Sequence, residues 1–458
     1  MNGIVIIPEP KKLEMNQGKF TFTEGLRCFV IRKTPDTLRT AHLISETIKS
    51  AVGIELPIEE ISTQDGLYSI VISSSQPDGL PENQVPENEE GYHLAVLPDR
   101  LILTSRGQAG LFYAVQSLIQ MINQSSGSSA VKIPCCQIED WPDLQIRGIH
   151  INLWSMMPRY EYLRDFIKRL AALKINFILL EYEDKFPYEK HPVLVHPLAL
   201  TKDQVEGLIK TAKENYIELT PLVQSFGHVE YVLKHDEYAH LAEQVGEDFS
   251  RQVPRRWQYC PLNPDSLKMF REMASEVMEI HADAKFFHAG ADETFFLGQC
   301  PRCKEYVTKH GLSALFVDYM NKVGSIITAK GKIPILWYDY LTNVPKDTPN
   351  LSRDFWIMYW EYRMGSRSVP FVRWAGLELS GRELLDEVPQ YVLDTFRKYW
   401  DDGGFPDQIR GFPYIRYFRD LGFNVLGAAR YQGDWRIRVP NTMAFCEALV
   451  EDGGQGIV

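Results

Sequence analysis

The spacing of apolar positions along this chain changes once, near residue 140. Before that point, short alternating runs (FTFTEG, LYSIVISS, YHLAVLPDRLILTS) are interleaved with two stretches whose apolar residues recur every three or four positions, TAHLISETIKSAV and GLFYAVQSLIQMI. Period two marks half-buried strands and the longer period marks amphipathic helices, so residues 1–140 are expected to form a small non-catalytic α+β domain. Within it the polar, proline-rich SSSQPDGLPENQVPENEEG reads as a surface loop, and NQSSGSSA as an exposed connection after the last helix.

After EDWPDLQIRG the rhythm becomes strand, helix, strand. IRGIHI reads as a strand, and the next helix carries Leu163, Phe166, Ile167, Leu170 and Leu173 on one face. INFILLEY is a buried strand, followed by a helix with Val205, Leu208, Ile209 and Ala212 in a stripe and then by IELTPLVQ. A helix around Leu267, Phe270, Met273 and Val277 leads into AKFFHAG, and IPILWY, FWIMYW and FNVLGAA continue the series. The helix before FNVLGAA holds Ile415, Phe418 and Leu421. This alternation predicts a (β/α)8 TIM barrel over residues 141–458, with a doubly wound open sheet as the alternative. After the helical NTMAFCEALVE, the terminal GQGIV looks like the opening of an eighth strand. The barrel is therefore expected to break off inside strand eight, leaving unpaired edges on strands one and seven and an unstable chain.

Composition narrows the possible functions. With 458 residues, 45% hydrophobic and 24% charged, the chain is that of a globular protein with room for two domains. A formal charge of −11 argues against the basic face that nucleic acid or an anionic membrane needs, and leaves a neutral or cationic small ligand open. MNGIVIIPEP has neither a basic start nor an apolar stretch of signal length, and no segment reaches the run of about 18 apolar residues that marks a membrane span. A cytoplasmic protein is expected. Seven cysteines, with Cys135 and Cys136 adjacent, give no disulfide framework. Cys300 and Cys303 form one C-x-x-C without a second pair at zinc spacing and are read as two free thiols, with a structural zinc site as the alternative. No phosphate-cradling glycine loop or HExxH pattern is present, so neither a cofactor nor a metal is expected.

Candidate chemistry gathers where barrel enzymes place it, at the C-terminal ends of the strands. Asp292 and Glu293 follow the fourth strand directly. The other strand ends supply Asn152 and Trp154, then Glu181, Glu183 and Asp184, then His228, then Trp337 and Asp339, then Trp360 and Glu361; Tyr431 and Asp434 follow the seventh. Acids ringed by Trp and Tyr suit a carbohydrate, since aromatic faces stack on sugar C–H faces while carboxylates bind hydroxyls. Each residue also has a structural reading: His228 and His288 as packed histidines, the tryptophans as core, Arg147 as partner of a nearby acid, EYED as a helix cap.

The string HAGADE, His288 to Glu293, resembles the H-x-G-[GA]-D-E signature of family 20 glycoside hydrolases, the β-N-acetylhexosaminidases, and ADETFFLGQCPRC is most similar to their hexosaminidase D-like branch. DWPDLQIRG resembles the family's approach to its first strand, SFGH its P-G-H turn, and EGYHLAV…GLFYAVQSLIQMI its preceding non-catalytic domain. The resemblance implies a retaining exo-hydrolase acting on terminal N-acetylhexosamine. In its substrate-assisted mechanism the acetamide oxygen attacks the anomeric carbon to form an oxazolinium ion, with Glu293 as acid/base and Asp292 holding the acetamide N–H. Substrate contacts are implied for Arg147 and His228, and the sugar-site reading adds Asp184, Trp337, Trp360, Tyr431 and Asp434. Two departures stand out: GIHINLW lacks the aspartate many members show there, and the tryptophan ending the family's eighth strand has no counterpart before Val458.

Spacing favours this mechanism independently. A conventional retaining glycosidase sets two carboxyl groups about 5–5.5 Å apart across the scissile bond. The clan with its acid at strand four carries its nucleophile at strand seven, where NVLGAARYQGDW has no glutamate. A β-glycosidase with a protein nucleophile and a non-catalytic sugar-binding barrel remain the alternatives.

Overall fold

The structure is a computed structural model that describes residues 4–31, 34–61, 70–73, 85–125, 131–154, 156–243, 256–369, 371–380, 390, 394, 399, 409–429 and 435–458. Tyr431 and Asp434 lie outside the described residues. The chain forms two compact units: Met1–Asp143 with Lys168–Ile175, and Leu144–Ile167 with Asn176–Val458.

The first unit is built on a seven-stranded sheet. Lys12–Thr21, Lys132–Asp140, Tyr92–Val96 and Leu101–Ser105 pair antiparallel in that spatial order; Ile70–Ser73, Cys28–Ile31 and Ile58–Ile61 continue it in parallel. Helix Pro35–Val52 starts at Thr34, whose side chain accepts the Thr37 N–H in a capping box, and ends at Gly53 with φ 75°. Its buried face, including Ala41, Ile44 and Ile48, repeats at the helical period.

The second unit is a closed barrel of eight parallel strands. In chain order the strands are Ile146–Asn152, Phe177–Glu181, Glu218–Leu222, Phe286–His288, Ile333–Trp337, Trp356–Trp360, Asn424–Ala428 and Gly456–Ile457. Each pairs with its neighbour, and the eighth pairs with both the seventh and the first. Alternate residues point inward, so Ile146, Phe177, Leu179, Leu222, Phe286, Ile335, Trp337, Trp356, Met358 and Leu426 make one core. Burying a large apolar side chain of this kind contributes about 1.5–3 kcal/mol.

The expected open edges do not exist. Although the eighth strand is only two residues long, Leu426 pairs with Gly456 and Gly456 pairs with Ile146. Flanking bonds complete the closure: Gln455 N–H donates to Val425 O at 2.8 Å, Ile146 N–H to Gln455 O at 3.0 Å, and Val458 N–H to Gly427 O at 2.8 Å. The unsatisfied backbone that motivated the expectation of instability is therefore paired. Among the described residues, no helix is long and apolar enough to cross a membrane.

Candidate active site

Above the apolar core, the inward positions at the strand ends turn polar. Glu181, buried at the end of strand two, accepts hydrogen bonds from Asn152 Nδ2 at 2.8 Å and Gln224 Nε2 at 2.9 Å, and lies 3.0 Å from His150 Nε2. Burial alone would raise its pKa, but His150 and Gln224 outweigh that and hold it below its usual value. Gln224 then accepts the Ala291 N–H at 3.3 Å, which ties this layer to the loop after strand four.

That loop carries the acid pair. Gly290, Ala291 and Glu293 all have positive φ, 66°, 75° and 50°, so the chain leaves the strand in a tight left-handed path. A Cβ on Gly290 would meet Gln224 Oε1 at 1.8 Å, so the close approach of Gln224, added to the positive φ, favours glycine there. Across from it, a Cβ on Gly227 would stand 2.2 Å from Asp292 O; this glycine lets the turn after strand three come up against the acid loop.

The turn delivers His228, itself at φ 53°. Its Nε2 lies 3.3 Å from Asp292 Oδ2 and 3.2 Å from Glu293 Oε2, bridging both carboxyl groups. Burial disfavours a charged imidazole there, yet the hydrogen bonds and charges of Asp292 and Glu293 prevail and raise its pKa to about 11. His228 is thus a cation through the neutral range. Its ring packs 4.3 Å from Trp257, whose Nε1–H donates to Glu293 O at 2.9 Å. Trp257 is held there by backbone bonds on either side: Val229 N–H donates to Trp257 O, and Tyr259 N–H to Phe226 O, each at 3.0 Å.

The two acids differ in surroundings. The Asp292 side chain is 19% exposed; its Oδ1 is buried and, among the described residues, has no hydrogen-bond partner. Glu293 is 40% exposed and opens to solvent. From the short helix Asp339–Asn343 that follows strand five, Asp339 Oδ2 accepts the Glu293 N–H at 2.9 Å. Burial, then the charge of Asp292, push the Asp339 carboxyl up to about 7. Burial, with the charges of Glu181, Glu230 and Asp184 behind it, likewise pushes Glu183 up to about 9. The outlying acids are thereby biased toward their neutral forms. Two adjacent acids, one largely buried and one open to solvent, bridged by one cation, suit proton transfer next to a developing positive charge.

The other expected residues divide. Trp360 ends strand six half-buried and stacks on Tyr362 at 5.2 Å and 21°, and the charges of Asp292 and Glu293 reach Tyr362, whose pKa burial above all raises. Trp337 is buried in the barrel core, its ring 4.6 Å from His288 and 5.9 Å from His150. Trp154 is 60% exposed beyond strand one. Asp184 is buried and held by two cations: Lys185 pairs with one oxygen and Lys234, at 3.1 Å, with the other. Nor does the structure bring Arg147 to the acids. It alternates with Ile146, which faces the core, and its Nη1 donates to Leu144 O at 3.0 Å, at the strand's N-terminal end. Inward positions on this strand fall instead to His150 and Asn152, both engaged with Glu181.

Two family models cover most of the chain. Residues 4–141 match "Glycosyl hydrolase family 20, domain 2" and residues 145–370 match "Glycosyl hydrolase family 20, catalytic domain". Among curated proteins, Hexosaminidase D of Bos taurus is 31% identical over 268 residues, covering 57% of this chain and 71% of that protein. Hexosaminidase D of Homo sapiens is 34% identical over 275 residues, covering 57% of this chain and 51% of its own length, so the chain spans about half of this relative. Among solved structures, the Streptomyces plicatus N-acetyl-beta-hexosaminidase in complex with Thio-NAglucal aligns with a TM-score of 0.68 over 99% of this chain and 84% of that one, at 16% identity. Flavobacterium johnsoniae chitobiase aligns with a TM-score of 0.65 over 78% of this chain and 55% of that one, at 20% identity. At such identities these two are likenesses of fold.

Proposed function

The chain belongs to glycosyl hydrolase family 20, and on that premise we propose that it is a retaining exo-β-N-acetylhexosaminidase that releases terminal β-linked GlcNAc or GalNAc with the substrate's own acetamide as nucleophile. In the first step the acetamide oxygen bonds to C1 as the glycosidic C–O bond breaks, and the Glu293 carboxyl gives its proton to the departing oxygen. In the second, the Glu293 carboxylate takes a proton from water as that water bonds to C1, and the oxazolinium ring reopens to acetamide. Two inversions at C1 leave the configuration retained.

Asp292 supplies the electrostatics. Its buried Oδ1, without a partner among the described residues, is the acceptor for the acetamide N–H, and its charge offsets the positive charge that grows on that nitrogen. His228 holds both carboxyl groups in register, and the Asp339 carboxyl fixes the Glu293 backbone. Trp360 stacked on Tyr362 offers the aromatic wall for the sugar. None of the seven cysteines is joined in a disulfide, which supports the expected cytoplasmic setting.

The observation that carries this reading is the placement of both acids on one strand end under one histidine, rather than on opposite sides of a cleft. Chromogenic β-glycosides with and without the 2-acetamido group test it. Rapid cleavage of the acetamido sugars with almost none of plain β-glucosides or β-galactosides is expected. Comparable rates with a trapped glycosyl-enzyme would establish a protein nucleophile instead.

A further inference from the structure

Just beyond the acid loop, four buried side chains that the hydrolytic mechanism does not use converge: Glu243, Cys260, Cys300 and Cys303. Their donor atoms all lie within 4.8 Å of one another. Cys260 Sγ is 3.7 Å from Cys300 Sγ and 3.6 Å from Cys303 Sγ, and Cys303 Sγ is 3.3 Å from Glu243 Oε2. Bonded sulfurs stand about 2.05 Å apart, so these are thiols in van der Waals contact. They are also spaced like ligands. With Zn–S bonds of about 2.3 Å, the edge of a tetrahedron is about 3.8 Å, and with a Zn–O bond of about 2.1 Å the sulfur–oxygen edge is about 3.6 Å. The observed edges need only a few tenths of an ångström of adjustment.

Local structure presents these atoms to one point. Cys300 caps helix Pro301–His310, and its sulfur accepts the Cys303 N–H at 3.4 Å, which turns both thiols of the C-x-x-C the same way. An antiparallel bridge between Ala242 and Tyr259 sets Glu243 beside Cys260. Glu243 is 1% exposed. Its Oε1 accepts the Gln299 and Cys300 N–H groups at 2.8 and 2.9 Å, which fixes the carboxylate and leaves Oε2 facing the sulfurs. A carboxylate buried among thiols is costly without a cation to pair it.

We propose that Glu243, Cys260, Cys300 and Cys303 are the four ligands of a structural zinc ion. Four protein ligands close the coordination sphere, so the ion has no open position for water or substrate and its role is to hold chain segments together. On binding, the thiols release their protons to solvent and the sulfurs donate to the metal. The segments it joins are those that set the acid loop: Trp257 Nε1 bonds to Glu293 O, and Gln258 Oε1 accepts the Phe296 N–H at 2.8 Å. The C-x-x-C read from the sequence as two free thiols thus has a third thiol and a carboxylate folded against it.

Metal analysis of the untagged, reduced protein tests the site without reference to activity. About one zinc per chain is expected, retained through dialysis against a weak chelator. Cobalt(II) exchanged into the site should show a sulfur-to-metal charge-transfer band with the intense visible bands of tetrahedral cobalt. Cys260→Ser and Cys303→Ser should lose the metal and melt at lower temperature, while Cys446→Ser, on a different helix, should keep it. The proposal is overturned if the full-length wild-type protein holds no stoichiometric metal and takes up neither zinc nor cobalt, or if the Cys260 and Cys303 variants retain full occupancy. The wild-type measurement decides the question even if those variants fail to fold.

Discussion

Asp292 and Glu293 are chain neighbours given different work by their surroundings. Glu293→Gln removes the transferable proton from the exposed position, so turnover should fall by about 100- to 10,000-fold for poor leaving groups. The loss should be much smaller for activated aryl glycosides that depart without protonation; equal losses on both would take Glu293 out of the acid role. Asp292→Asn should be nearly as damaging, because an amide cannot offset charge on the oxazolinium nitrogen. His228 makes a prediction of opposite pH sense to that of a salt-bridged carboxylate. Its folded-state pKa of about 11 lies above the ordinary 6.5, so the stability it contributes is full below pH 6.5 and is lost as pH rises toward 11. Melting temperatures of wild type and His228→Gln should therefore differ most near pH 6 and converge by pH 10 to 11; a gap that widens with pH would show that the imidazole is not held cationic. At this scale the contiguous acid pair was legible from its place after an apolar strand. The ion pairs of Asp184 were not, because Lys234, which donates to it, stands fifty positions further along the chain.

Among the elements, the strand-end turns do most of the positioning. Gly227 and Gly290 let the loops after strands three and four interlock, with His228, Ala291 and Glu293 held at positive φ, a conformation that costs about 1–3 kcal/mol per residue and persists only when its surroundings impose it. Gly227→Ala would push its Cβ into Asp292 O, and overpacking of this kind costs about 1–3 kcal/mol. Turnover should fall more than stability does, since the displaced atoms belong to the acid loop; a variant with wild-type kcat would show that the interlock does not set the geometry. The strands and helices follow the apolar spacing closely, and the faces they present do not always. On strand one a shift of one residue exchanges inward and outward positions, which is why Arg147 points away while His150 and Asn152 reach Glu181. Trp257 escaped notice because backbone pairing with the turn at Phe226 and Val229, rather than any local pattern, brings it beside His228.

For the whole molecule, closure of the barrel rests on a two-residue eighth strand, which GQGIV suggested only as the opening of a longer one. Gly456 and Ile457 bond to strands on both sides, and a Cβ at Gly456 would stand 2.3 Å from Ile146 O. Gly456→Val should therefore cost about 1–3 kcal/mol or more in denaturant unfolding, and a variant as stable as wild type would show that the ring does not depend on this contact. The central claim is that the sugar's acetamide, guided by Asp292, is the nucleophile. Aryl N-acetyl-β-glucosaminides carrying mono-, di- and trifluoroacetamides test it most directly, because each fluorine withdraws electron density from the attacking oxygen while leaving the leaving group unchanged. Substrate assistance predicts that log(kcat/KM) falls steeply and steadily with fluorine count; a flat series would contradict it and place the nucleophile on the protein.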